Sequence, residues 1–218
     1  MTNGLDFEAG LIDAIDGAEA AGVPVLRLGE ALDPQPLTLG GDVADPHWFT
    51  DPVRMAEAAD LITDAVADDI GTTEALRGRG ERSHRDLVML DAEVRDLLAA
   101  IPDDRRELVT NHEVFGYFAA RYDLEVVGTV VPGVTGLAET SPSALDDLVD
   151  TIIDRDVPAV FADSTSSTDL ADALADEVGR PVQVVELFTE SLGEPGSGGE
   201  TYAAMMRTNA TRIRDALA

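Results

Sequence analysis

The run Glu107-Leu108-Val109-Thr110-Asn111-His112-Glu113-Val114-Phe115-Gly116-Tyr117-Phe118-Ala119-Ala120-Arg121-Tyr122 holds the transition on which the fold depends. Its first four residues read as a short buried strand, and Val114–Tyr122 takes up helical spacing. His112 falls just past the strand's C-terminal end. The alternation continues downstream, with strands expected at Glu125–Val131, Ala159–Ala162 and Val182–Phe188 and helices at Pro142–Asp156, Thr168–Val178 and Thr201–Leu217. Ser141-Pro142 and Ser167-Thr168 supply caps for two of these helices. Strands alternating with helices of this length predict an α/β fold, its parallel sheet covered by helices on both faces. Ligands are then expected at the carboxyl ends of the strands.

Upstream, Pro102 ends a helix expected over Thr73–Ala100, with Leu87, Leu90, Val94, Leu97, Leu98 and Ile101 along one side. About 28 residues would span about 42 Å, which suits a strut joining two lobes. Before it, Asp51-Pro52 starts another helix, with Met55, Ala58, Ala59, Ile62 and Val66 on its buried face. Leu11, Ile12, Ile15 and Ala18 mark a first helix closed by Gly22, and Val23–Leu28 reads as a buried strand. The stretch from Gly29 to Asp51, with Pro34, Pro36, Gly40, Gly41 and Pro46, is a long loop of the kind that carries function. The expected organisation is residues 1–72 as the remainder of an N-terminal lobe, 73–102 as the connecting helix and 103–218 as a C-terminal α/β lobe. With a single βα unit, the first lobe reads as incomplete.

Composition narrows the chemistry. The 218 residues include 43 acidic and 15 basic side chains, a formal net charge of −28. Such a surface repels phosphate backbones and anionic membranes, so nucleic acid is excluded as a partner. Every basic residue is Arg; Lys is absent. The acids are spread along helices (Asp60, Asp64, Asp68, Asp69, Asp146, Asp147, Asp150, Asp154), a pattern adapted to a high-salt milieu, where the Debye length shrinks to about 3 Å at 1 M. There is no Cys, which removes disulfides, thiolate catalysis, iron–sulfur clusters and cysteine zinc sites. The opening residues Met1–Phe7 show neither the basic nor the apolar region of an export signal.

Three histidines are present: His47, His84 and His112. His47 lies in the long loop, in Asp45-Pro46-His47-Trp48-Phe49; His112 follows one strand and Glu190 follows another. Two imidazoles and a carboxylate suit Zn²⁺ or a similar divalent ion. Their separations are too long for a local motif, so a loop His, a helix-capping His and a solvated Glu remain the alternative. His84, in Arg82-Ser83-His84-Arg85, reads as a surface residue. Trp48, Phe49, Phe115, Tyr117 and Phe118 fit either a pocket lining or core packing. Gly193–Gly199 contains no Lys and is flanked by Glu194 and Glu200, so it reads as a flexible loop and not a phosphate cradle. Asp163-Ser164-Thr165-Ser166-Ser167 reads as a strand-to-helix turn. No Gly-x-Ser-x-Gly elbow is present.

Taken together, four ordered segments carry a resemblance. They are Asn3-Gly4-Leu5, Asp45-Pro46-His47-Trp48, Thr110-Asn111-His112-Glu113-Val114-Phe115-Gly116-Tyr117, and Leu187–Gly193 with Gly199–Asn209. The chain resembles the zinc- and manganese-binding substrate-binding proteins of ABC importers, nearly end to end. The resemblance implies two α/β lobes of parallel sheet with flanking helices, joined by one long rigid helix, with a metal held between them. Residue by residue it implies metal ligation by His47, His112 and Glu190. The last ligand in the family is usually Asp, so Glu190 departs from the pattern by one methylene. His112, where manganese-specific relatives often carry Glu, tilts the choice to zinc, with manganese as the alternative. The implied function is capture of the ion at the extracellular face of the membrane by a lipid-anchored, monomeric protein, and delivery to an ABC permease without enzymatic chemistry. Relatives carry a lipoprotein signal, further strands and helices, and one more histidine ligand ahead of the Asn-Gly-Leu segment, so this chain reads as one lacking its N-terminal part. A remnant that binds no metal and a metal-dependent hydrolase are the rival readings.

The charge generates the first prediction. The melting temperature should rise from about 0.1 M to a few molar KCl as carboxylate repulsion is screened. A flat or falling trend in thermal melts contradicts the high-salt reading.

Overall fold

Gly22 ends the first helix as expected. In the computed structural model, which describes residues 1–133, 140–165 and 167–218, α1 runs Ile12–Ala20 and Gly22 follows it at φ +84°. Gly22 N–H donates to the Glu19 carbonyl (2.9 Å) and Val23 N–H to that of Ala18 (3.0 Å), a paired closure that requires the left-handed residue between. The strand expected over Val23–Leu28 is not formed. Among the described residues this segment makes one parallel bridge, Thr2 with Arg27, and Leu28–Ala31 is a short helix, α2. Pro24 has no N–H to give a ladder, Val23 is exposed, and an apolar run is a strand only where a second strand lies beside it.

Asp51 caps α3 (Pro52–Ile70) by accepting from Val53 N–H at 2.8 Å. The fully buried positions of α3 are Pro52, Ala56 and Ala58, while Met55, Ala59, Ile62 and Val66 are half-buried. α4 spans Glu74–Leu98, 25 residues and about 37 Å long. It comes close to α3 at Gly80, where a Cβ would stand 2.5 Å from Thr63 Oγ1. Leu90, Val94, Leu98 and then Ile101 are buried, while Leu87 and Leu97 are half-buried. The chain divides into two units. The first is Met1–Pro36 with Asp42–Asp91; the second is Leu37–Gly41 with Ala92–Ala218. α4 thus gives residues to both.

The second unit holds a parallel sheet. β1 (Glu107–Thr110), β2 (Glu125–Thr129), β3 (Ala159–Asp163) and β4 (Gln183–Leu187) lie in the order β2-β1-β3-β4. Connecting helices are α5 (Gly116–Arg121), α6 (Pro142–Asp154) and α7 (Asp169–Glu177), and α8 (Tyr202–Leu217) follows β4. The expected strands and helices are therefore present, with most ends trimmed by one or two residues and β3 carried one residue further, to Asp163. β2 stops at Thr129 instead of Val131, although Val130 and Val131 still donate to the Thr110 and Asn111 carbonyls (2.9 and 2.8 Å).

Alternation along the strands divides the core. Val109, Val160 and Ala162 join Leu148 and Ile152 of α6 and Ala171 and Leu174 of α7 in one cluster. Leu108 and Phe161 point to the opposite face and are also buried. Both faces are apolar because both are covered, as parallel sheets require. Ser141 caps α6 through Ala144 N–H (3.2 Å), and Arg180 donates to the Ile152 and Val157 carbonyls at its other end (3.0 and 3.1 Å). Among the described residues no helix is long and apolar enough to cross a membrane.

Strand order places a site. The chain leaves β1 to one side for β2, then crosses back to β3, so the topology switches between β1 and β3. Open parallel sheets leave a crevice at the carboxyl ends of such strands.

The ranking of core against cap is testable. Ile152→Ala should cost about 2–5 kcal/mol and Ser141→Ala about 1 kcal/mol in urea unfolding. An equal or larger loss from Ser141→Ala would contradict this account of α6.

Candidate functional site

His112 and Glu190 are brought together although 78 residues separate them in sequence. β1 delivers the first and β4 the second, each just beyond its strand's carboxyl end. His112 Nε2 stands 3.2 Å from Glu190 Oε1, with the imidazole buried and 34% of the Glu190 side chain exposed. The backbone that presents His112 is fixed: its carbonyl accepts from Thr110 Oγ1 and from Val114 N–H, both at 2.8 Å. Thr110 is itself fully buried. The next residue, Glu113, is 5% exposed and accepts from the N–H groups of Leu39 (2.7 Å) and Gly40 (3.1 Å). Leu37–Gly41 belongs to the second unit, as Glu113 does.

A separation of 3.2 Å between a nitrogen and a carboxylate oxygen is a hydrogen bond. It is also close to the edge of a tetrahedron: two ligands about 2.1 Å from a zinc ion lie about 3.4 Å apart. A small movement therefore turns the pair from bonding each other to sharing a cation.

In the first unit, His47 is fully buried and its Nδ1 lies 2.7 Å from Asp45 Oδ1. The same carboxylate oxygen accepts His47 N–H at 2.9 Å, the turn geometry an Asp adopts two residues before its partner. A carboxylate on Nδ1 holds the proton there and leaves Nε2 as the lone-pair nitrogen, the arrangement found behind metal-ligating histidines. Phe7 and Phe49 stand edge-on to the ring, each 5.9 Å away. Asn3 Nδ2 donates to the Pro46 carbonyl (2.9 Å), and Trp48 Nε1 donates to the Asn3 carbonyl (3.3 Å).

Sequence reasoning named the three candidate ligands but missed the groups that orient them. Asp45 was legible: an Asp two residues before a loop His is an Asx-turn signal. Glu113 was not, because its partners are backbone groups more than 70 residues away. His84 is the surface residue expected, its Nδ1 2.8 Å from Asp60 Oδ2 on α3. Trp48, Phe115, Tyr117 and Phe118 are buried. The Asp163 turn is made by its own carboxylate, which accepts from Thr165 N–H (2.8 Å) and Oγ1 (2.9 Å). Ser166, part of the expected turn, lies outside the described residues. Gly193 and Gly199 have packing reasons. A Cβ at Gly193 would stand 2.7 Å from the Phe188 ring and one at Gly199 2.6 Å.

Comparison with known proteins identifies the family and the fold. The family described as "Zinc-uptake complex component A periplasmic" (ZnuA) matches residues 1–216. The zinc-binding protein TroA of Treponema pallidum (strain Nichols) is 33% identical over 189 residues, covering 84% of this chain and 61% of TroA. The manganese-binding lipoprotein MntA of Bacillus subtilis (strain 168) is 32% identical over 185 residues, covering 81% of this chain and 59% of MntA. The chain thus spans about three fifths of the length of these relatives. The solved structure of the periplasmic zinc-binding protein TroA from Treponema pallidum superposes with a TM-score of 0.89 at 30% identity, covering 99% of this chain and 79% of that one. The relatives are described as zinc- or manganese-binding, and the match over residues 1–216 shows that the chain belongs to the ZnuA family.

Proposed function

We propose that this chain captures a divalent metal ion, zinc, at the outer face of a membrane and hands it to an ABC permease, with His47, His112 and Glu190 as ligands. The observation that carries the reading is the His112–Glu190 pair, an imidazole nitrogen and a carboxylate oxygen 3.2 Å apart at the carboxyl ends of two strands. His47 is the third ligand, with the Asp45 carboxylate behind it orienting the ring through Nδ1. Two imidazoles and one carboxylate make a donor set that favours zinc over manganese. The relatives include both zinc- and manganese-binding proteins, so the choice of zinc rests on these donors.

Capture requires no bond to be made or broken. Binding requires deprotonated ligands, so affinity falls as the imidazoles and the carboxylate take up protons. The protein works as a monomer that loads and unloads its cargo. Three ligands leave one tetrahedral position open. The second oxygen of Glu190 reaches such a position more readily than a shorter Asp would.

Zinc titration against a competing chelator tests the assignment. His112→Ala and Glu190→Ala should each weaken zinc binding by at least about 10–100-fold, and Asp45→Asn by about 10–100-fold. His84→Ala should leave it unchanged. Loss on His84→Ala equal to that on His112→Ala would place the site elsewhere. Protein purified from medium with equimolar zinc and manganese should carry zinc; manganese in its place would favour the other reading.

A further inference from the structure

The last rung of the β3–β4 ladder is the Ser164 N–H bond to the Leu187 carbonyl, at 2.9 Å. Beyond it no strand among the described residues pairs with the chain, yet it must present Glu190 three residues later. Asn209 takes the place of that strand. From α8 its Oδ1 accepts Phe188 N–H at 3.0 Å, and its Nδ2 donates to the Phe188 carbonyl at 2.7 Å. Both backbone groups of one residue are thereby satisfied by one side-chain amide, as a neighbouring strand would satisfy them. Asn209 is 2% exposed and Phe188 7%, so neither bond has water as a ready substitute. Only Asn or Gln carries a donor and an acceptor in this planar pairing, and Gln would set the amide one methylene too far.

The clamp is reinforced on the same segment. Arg212, one turn along α8, donates to the Glu186 carbonyl (2.8 Å), and its guanidinium lies 5.1 Å from the centre of the Phe188 ring. Gly193 and Gly199 close on that ring, joined by a Gly193 N–H bond to the Gly199 carbonyl at 2.9 Å. Thr189, between clamp and ligand, is 3% exposed. From Phe188 to Glu190 the path is therefore two residues long and held in protein, with only the Glu190 side chain reaching out.

We infer that Asn209 is a positioning residue for Glu190: it fixes the Phe188 backbone from α8, so that the carboxylate meets His112 at ligand distance without having to be ordered by the metal. This rests on the reading of Glu190 as a metal ligand. A carboxylate that is already placed gives up little conformational freedom on binding, and that freedom is what a loosened segment would lose.

A double-mutant cycle on the full chain separates positioning from general stability. Zinc affinity is measured by chelator competition for the native chain, Asn209→Ala, Glu190→Ala and the double variant, with thermal melts run alongside. Asn209→Ala should weaken zinc binding about tenfold or more when Glu190 is present. In the Glu190→Ala background its effect on affinity should fall within about twofold, although its cost in melting temperature persists. The same loss in both backgrounds, or no loss in the first, overturns the inference while leaving Glu190 a ligand. If Glu190→Ala itself leaves zinc affinity unchanged, the ligand assignment fails, and this inference fails with it. Should Asn209→Ala not fold, the same cycle run with Asn209→Ser decides, since a serine hydroxyl can still serve one of the two Phe188 groups. The expected coupling has the same sign and is smaller.

Discussion

β1 has a strand on each side, β2 and β3, and this two-sided pairing is the constraint from which the second unit follows. A four-residue strand cannot hold itself straight; its neighbours do so through the parallel ladders. Because the chain leaves β1 in one direction and returns on the other side, the carboxyl ends of the strands open at the switch between β1 and β3. His112 stands at that opening, and β4 brings Glu190 to it across β3. Burial of both sheet faces keeps the frame rigid, and hydrogen bonds from Thr110, Val114 and Asn209 carry that rigidity into the loops. Each candidate ligand of this unit thus sits on a strand end whose backbone is already satisfied.

Much of this was legible in the sequence, for a physical reason. The run Glu107–Tyr122 and the segments after it are parallel strands and amphipathic helices, whose apolar periods are local properties. The caps at Asp51 and Ser141 are local too, and both form as read. Val23–Leu28 failed because a strand is a property of a pair: its only bridge partner among the described residues is Thr2. Residue type and placement marked His47 in the long loop and His112 and Glu190 at strand ends as candidates, and the family resemblance named them as ligands. Asp45 was legible as a local turn, but Glu113 and Asn209 were not, since they act on backbone atoms of Leu39, Gly40 and Phe188, and a backbone atom leaves no mark in a sequence.

The charge acts on a different scale from the site. With 43 acids and 15 arginines, most carboxylates cannot have an arginine of their own, and the ion pairs present, such as Arg27 with Glu19 and Asp16, are surface contacts worth little individually. Arg27 does draw the Glu19 carboxyl below its ordinary range, first through their hydrogen bond and then through its charge. The arginines with a clear structural task use their forked donors on backbone carbonyls: Arg180 at the end of α6, Arg106 on the Tyr122 and Leu98 carbonyls, Arg212 on Glu186. Arg106 spreads two nitrogens of its planar fork over two carbonyls, a reach that the compact ammonium of a lysine lacks. An acidic surface also attracts cations to the protein in general, so selectivity has to come from the donor set.

The central claim is that zinc is held by two imidazoles and a carboxylate. X-ray absorption at the zinc edge of the loaded protein tests it most directly. The account predicts a shell of nitrogen and oxygen at about 2.0–2.2 Å, with the outer-shell scattering of two histidine rings, reduced to one ring in His112→Ala. A shell of oxygen alone, or two rings persisting in His112→Ala, would contradict it.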